Sequence, residues 1–386
     1  MNHDKMKACM DKAVEIKELA GLNLLVLQDG EEVFYGESGY ANVAEKKPFQ
    51  RDTICRLYSM SKPVTAAAAM LLLQDGIIDY CDPVSKFLPS FANQEIVDAK
   101  GRRPVRWDRP VLIKDLLNMT SGLVYPFINT PAEVGTDLIY KEMVDRFHSD
   151  HMMTTAEFAD RLGKLPLQFQ PGEQFQYGTS ADVLGAVIEA VSGMRFGEFL
   201  EKRLFAPLEM KDTAFYVPEE KKDRYAMTYI CRDSEVKEYA GNNLGIRDDG
   251  KKNAFESGGA GLFSTVDDYA AFARMLMAKG SYKGQQILSP KAVEFMSSAK
   301  LTHEQRQGLA GWTGLEGFSY GNLMRIMVEP EQSSIFADLG EYGWDGWLGP
   351  YFCNAPKSGV TILMMTQCVD YGTGCTTRKL HNLIFS

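Results

Sequence analysis

Strand-forming sequence sits near both ends of this 386-residue chain, and helix-forming sequence fills the middle. Residues 22–28 and 31–35 flank Asp29-Gly30, two apolar runs around a turn pair that predicts a hairpin. Near the other end, residues 350–353 and 360–367 flank a turn at 354–358. Between them, helices are expected at 59–74, 111–118, 181–191 and 266–278. An amphipathic helix over 5–20 precedes the first strand, with Met6, Cys9, Met10, Ala13, Ile16 and Leu19 at helical spacing. The simplest packing joins the terminal strands into one antiparallel sheet with helices on its faces. The central block then forms a mostly helical lobe inserted into it.

The expected fold is thus α/β in the α+β sense. Residues 1–57 and 258–386 form a sheet domain, 58–257 form a mostly helical domain, and the active site lies between them. Segments 125–164 and 219–252 are polar and charged and are expected to be irregular loops able to cover a cleft.

Composition removes several functions. A formal net charge of -9 lacks the clustered Lys and Arg of a nucleic-acid surface. No apolar run approaches the roughly 20 residues of a membrane span, and residues 1–19 lack the apolar centre of a signal peptide. The seven cysteines are scattered and form no CxxC pair, which predicts reduced thiols in a cytoplasmic protein. His3, His148, His151, His303 and His381 are too dispersed for a zinc-protease motif or a triad base, so neither metal nor cofactor is expected.

The chemistry points to Ser59-Met60-Ser61-Lys62. Ser-x-x-Lys also occurs at Ser234 and at Ser297, but only Ser59 stands at the N-terminus of a long apolar helix. Free N–H groups and the helix dipole there favour an anion, as an oxyanion hole requires. Lys62 lies one turn on, on the same face. In a dry site it loses its proton more readily and can accept that of serine. The opposing reading makes Ser59 a helix cap and Lys62 a surface charge. Tyr177 precedes the 181–191 helix and can relay a proton if it shares the cleft; otherwise it is a packing tyrosine. Trp344-Asp345-Gly346-Trp347 comes just before a C-terminal strand. Gly346 permits close backbone approach, and the Trp347 N–H is a candidate second oxyanion donor beside that of Ser59. The alternative is an aromatic turn that packs the core.

These motifs occur in the order of the class C β-lactamase-like family of serine β-lactamases and penicillin-binding proteins. Residues 59–62 resemble its SxxK motif, Tyr177-Gly178-Thr179 its Tyr-x-Asn, and Trp344-Asp345-Gly346 its Lys-Thr-Gly or His-x-Gly. Residues 115–123 and 258–265 resemble two supporting stretches, so the likeness spans about 20–367. The resemblance implies acylation of Ser59, general bases Lys62 and Tyr177, an oxyanion hole at Ser59 and Trp347, and two-step covalent catalysis. Thr179 replaces the family asparagine, and Trp344 the lysine or histidine that helps to hold a substrate carboxylate. Asp345 adds negative charge. These departures are similar to the esterase branch and imply a small-molecule carboxylester substrate, with acyl transfer to alcohols as an extension. Trp344, Asp345, Gly346, Thr179 and Tyr125 are the expected substrate contacts. The competing readings are a D-amino-acid peptidase or amidase, a weak β-lactamase, and a catalytically degenerate ligand-binding module.

Overall fold

The protein is described by a computed structural model covering residues 1–97, 104–106 and 108–386. Its centre is an eight-stranded antiparallel sheet. The strands are β1 (Gly21–Gln28), β2 (Glu31–Asn42), β3 (Lys47–Pro48), β4 (Phe318–Gly321), β5 (Met324–Met327), β6 (Tyr342–Asp345), β7 (Tyr351–Ala355) and β8 (Val360–Thr366), in the order β4-β5-β6-β7-β8-β1-β2-β3. The N-terminal hairpin and the C-terminal strands meet along β1 and β8, with Leu25 opposite Leu363.

Strand β1 is apolar along nearly its whole length because both faces of the sheet are covered. Leu22, Leu24 and Val26 pack under α1 (His3–Glu15) and the C-terminal helix. Leu25 and Leu27 point the other way, into the core shared with the helical block. Each fully buried leucine contributes roughly 1.5–3 kcal/mol relative to an exposed one.

The helical block holds α2 (Ser61–Gln74), α3 (Pro131–Asp145), α4 (Thr155–Leu162) and α5 (Ser180–Ser192). Helix α6 (Val266–Met277) covers its face of the sheet and α7 (Cys375–Ile384) the opposite face. Helix α2 buries twelve of its fourteen residues. Its Ala66–Ala69 run lets neighbouring backbones come close without leaving voids.

The segment 125–164 is not an irregular loop. It folds into α3 and α4, and α3 starts at a capping box in which Thr130 and Glu133 satisfy each other's backbone N–H groups. Composition misleads there because Val134 and Leu138 lie on the exposed side while Ile139, Tyr140 and Met143 face inward. In the 219–252 segment, strands Tyr229–Arg232 and Glu235–Glu238 form a small hairpin. The helix expected at 111–118 shortens to Ile113–Leu117. Strands β4 and β5 are joined through Asn322 and Leu323, both at positive φ. Among the described residues, no helix is long and apolar enough to cross a membrane. All seven cysteines are free thiols.

Candidate active site

Ser59 lies in a 3-10 turn, Tyr58–Met60, that runs directly into α2. The helix proper begins at Ser61, two residues later than its sequence signal. Tyr58 has φ 45°, an uncommon conformation for a side chain of its size. Such strain persists only where the surroundings over-determine it. The Tyr58 ring is buried edge-on against Trp347, with centroids 5.0 Å apart. Tyr269 donates to the Met60 carbonyl at 2.9 Å. The turn leaves Ser59 partly exposed between two buried neighbours.

Lys62 is fully buried. Its Nζ lies 3.1 Å from Ser59 Oγ, 3.0 Å from the Tyr125 hydroxyl and 2.8 Å from the Gly259 carbonyl. Burial lowers its pKa to about 7, with Asp182 and Asp345 pulling the other way. As a neutral amine it can accept a proton from Ser59. The two other Ser-x-x-Lys matches have no such setting. Ser234 sits at positive φ between two hairpin strands, and Ser297 ends a helix.

Asp182 was not singled out by any motif. It stands fully buried in α5, where burial pushes its carboxyl upward. It accepts the Gly259 N–H at 3.0 Å and the Ser257 hydroxyl, and so fixes the turn whose carbonyl holds Lys62. The available signal was an acid among the apolar residues of a helix.

Tyr177 brings its ring centroid within 4.4 Å of Lys62 Nζ and lines the same cleft as Ser59. Its hydroxyl accepts the indole N–H of Trp344 at 2.8 Å. Burial raises the phenol well above its ordinary value.

The end of β6 closes the site from the sheet side. A Cβ at Gly346 would come within 2.2 Å of the Leu57 carbonyl, so only glycine lets this strand end approach the Ser59 turn. Ser59, Trp347 and Gly346 line one cleft of about 610 Å³. Its walls are aromatic. Trp312, exposed to 38 %, stacks edge-on to Tyr177 at 5.3 Å and lies 6.3 Å from Trp344. Asp345 lines it too, accepting from the Thr373 hydroxyl at 2.7 Å, and burial raises its carboxyl.

Two expected substrate contacts are corrected. Thr179 is fully buried at the start of α5, and its hydroxyl donates inward to the Val124 carbonyl at 3.4 Å, away from the cleft. Tyr125 is not on the cleft wall; its hydroxyl is spent on Lys62 and its ring packs edge-on to Tyr177 at 5.6 Å. Trp344 lines the cleft, but it is 1 % exposed and its polar edge is directed to Tyr177. No sequence motif marks Trp312, the 370–374 loop or Arg378, which complete the wall from distant segments.

A serine bonded to a buried lysine, on an antiparallel sheet flanked by helices, defines a penicillin-binding-protein-like member of the serine hydrolase superfamily. The Beta-lactamase family model matches residues 6–382, and the chain belongs to that family. An uncharacterized protein of Mycobacterium tuberculosis is 32 % identical over 390 residues, covering 96 % of this chain and 91 % of the relative. Esterase EstB of Burkholderia gladioli is 26 % identical, covering 99 % of this chain and 95 % of its own. Among solved structures, EstCE1, described as a hydrolase with promiscuous acyltransferase activity, superposes with a TM-score of 0.84. It is 23 % identical, with 99 % and 98 % of the two chains covered.

Proposed function

We propose that the protein is a carboxylesterase for short-chain esters that works through an acyl-enzyme on Ser59. The observation that carries this reading is the buried Lys62 amine, with a pKa lowered to about 7, at 3.1 Å from a partly exposed serine hydroxyl.

Lys62 takes the serine proton as Ser59 Oγ attacks the ester carbonyl. Tyr177, with its phenol kept protonated by burial, is placed to pass a proton to the departing alkoxide. The backbone N–H groups of Ser59 and Trp347 receive the oxyanion. Water then attacks the acyl-enzyme, and the same groups run in reverse. An alcohol in place of water gives acyl transfer.

The ester preference rests on the cleft's lining. Asp345 and Asp370 line it, with Arg378 the one cation among the described lining residues. That balance disfavours the carboxylate of a penicillin or a D-alanyl peptide. Trp312, Trp344 and Trp347 offer apolar surface instead. The 26 % identity to an esterase over nearly the full chain agrees with this choice.

The test compares p-nitrophenyl butyrate with nitrocefin, using wild type and Ser59→Ala. Ester turnover lost in the variant, with little nitrocefin turnover, supports the proposal. Ester turnover that survives Ser59→Ala removes Ser59 as nucleophile. Faster turnover of nitrocefin than of the ester moves the substrate class to lactams and amides.

A further inference from the structure

Behind the sheet, on the side away from Lys62, lies a second buried polar group with no part in the proposed chemistry. Glu341 immediately precedes β6, Cys353 lies on β7 and His381 on α7. Glu341 and Cys353 are fully buried and His381 is 1 % exposed. One carboxylate oxygen, the thiol sulfur and one imidazole nitrogen lie within 4.8 Å of one another. His381 Nε2 is 3.2 Å from Glu341 Oε2. In the sheet, Cys353 pairs with Gly343, two residues after Glu341.

Several polar atoms here have no partner: Glu341 Oε1, His381 Nδ1, the Tyr351 hydroxyl and Arg325 Nη1. Tyr351 and Arg325 are each 1 % exposed, and the Arg325 guanidinium lies 4.7 Å above the Tyr351 ring. Buried polar groups are normally satisfied, so a cluster of unpartnered ones marks a missing component.

We propose that Glu341, Cys353 and His381 form a structural site for a borderline divalent transition ion of the Zn2+ class. Carboxylate oxygen, thiolate sulfur and imidazole nitrogen are a donor set that suits zinc. Ligand bonds of about 2.0–2.3 Å place tetrahedral ligand atoms about 3.3–3.8 Å apart. The Glu341–His381 edge already has nearly that length. Binding displaces the Cys353 thiol proton to solvent, moves the imidazole proton to Nδ1 and frees Nε2 for the ion. Water fills the fourth position and gives Tyr351 or Arg325 the partner it lacks. Charge also closes. Glu341, Asp345 and a Cys353 thiolate bring three negative charges, Arg325 one positive, and the ion two more. The ion would pin α7 to the sheet, and α7 follows directly on the 370–374 loop of the cleft wall.

The test uses the full chain and does not depend on what the cleft turns over. The protein is incubated with Zn2+, dialysed, and its metal counted; a second sample is loaded with Co2+ for absorption spectroscopy. The expected result is one ion per chain, a Tm that rises with Zn2+, and a thiolate-to-cobalt charge-transfer band. Cys353→Ser abolishes that band. His381→Gln weakens Zn2+ binding about 100-fold or more, and it serves as the test if Cys353→Ser does not fold. Cys375→Ser, which removes an exposed thiol, leaves everything unchanged. Failure of the wild type to retain an equivalent of Zn2+ overturns the proposal. So does a band that survives Cys353→Ser or disappears in Cys375→Ser.

Discussion

Two buried polar clusters lie on opposite faces of the same sheet, and they differ in how their hydrogen bonds are filled. On one face the Lys62 head group meets Ser59, Tyr125 and Gly259, and the Tyr177 hydroxyl meets Trp344. On the other, Glu341, His381, Tyr351 and Arg325 each leave an atom unpartnered. The first cluster opens on a cleft, and its Lys62, Tyr177 and Ser59 atoms are bonded to one another or to neighbours, with Asp182 Oδ2 left unpartnered behind them. The second is sealed under α7 and is short of partners. A satisfied buried lysine is held ready for proton transfer; an unsatisfied buried cluster is a place where something else binds.

If that contrast is right, substitutions in the first cluster change rates with little change in Tm, and substitutions in the second change Tm with little change in rates. Ser59→Ala is the largest expected effect. It should lower kcat for p-nitrophenyl butyrate by about 10⁴-fold or more while Tm stays near the wild-type value. A comparable Tm loss would erase the contrast. Lys62→Met should cost about 10²–10⁴-fold in kcat. It should also abolish the acid limb of the pH profile. In the wild type that limb lies near pH 7, because the amine must be neutral to act and its pKa is lowered to about 7.

Tyr177→Phe should lower kcat by about 10²-fold, at the lower end for a lost proton donor. The loss should be smaller for esters with better leaving groups, which need less protonation; equal loss for all leaving groups would reduce Tyr177 to a packing residue. The smallest effect is a shift. Asp345 stabilises the charged form of Lys62, so Asp345→Asn should move the acid limb to lower pH. Movement to higher pH would show that Asp345 does not act on Lys62 through charge.

The parts of this protein that were legible in the sequence are those encoded by neighbours along the chain. The β1–β2 turn at Asp29-Gly30, the apolar run of α2 and Ser59 three positions before Lys62 are local patterns, and the structure keeps them. The strands β4 and β5 were harder to read. They are four residues long and buried on both faces, so they show no alternation. Helix α3 was masked by apolar residues on its exposed side, although its Thr130–Glu133 capping box was visible in the sequence.

What the sequence by itself determined is the family resemblance, the sheet-and-helix class and the identity of Ser59, Lys62 and Tyr177 as a candidate set. Each depends on residue type and short spacing. Tertiary structure alone decided which Ser-x-x-Lys has a buried lysine, that Thr179 turns away from the cleft, and that Trp312 and Arg378 form its wall. It alone brought His381 to Cys353 and Glu341 from 28 and 40 residues away. The physical reason is that burial and orphaned hydrogen bonds belong to places in space. A lysine's pKa and an imidazole's partner depend on what folding packs around them, and no local spacing records that.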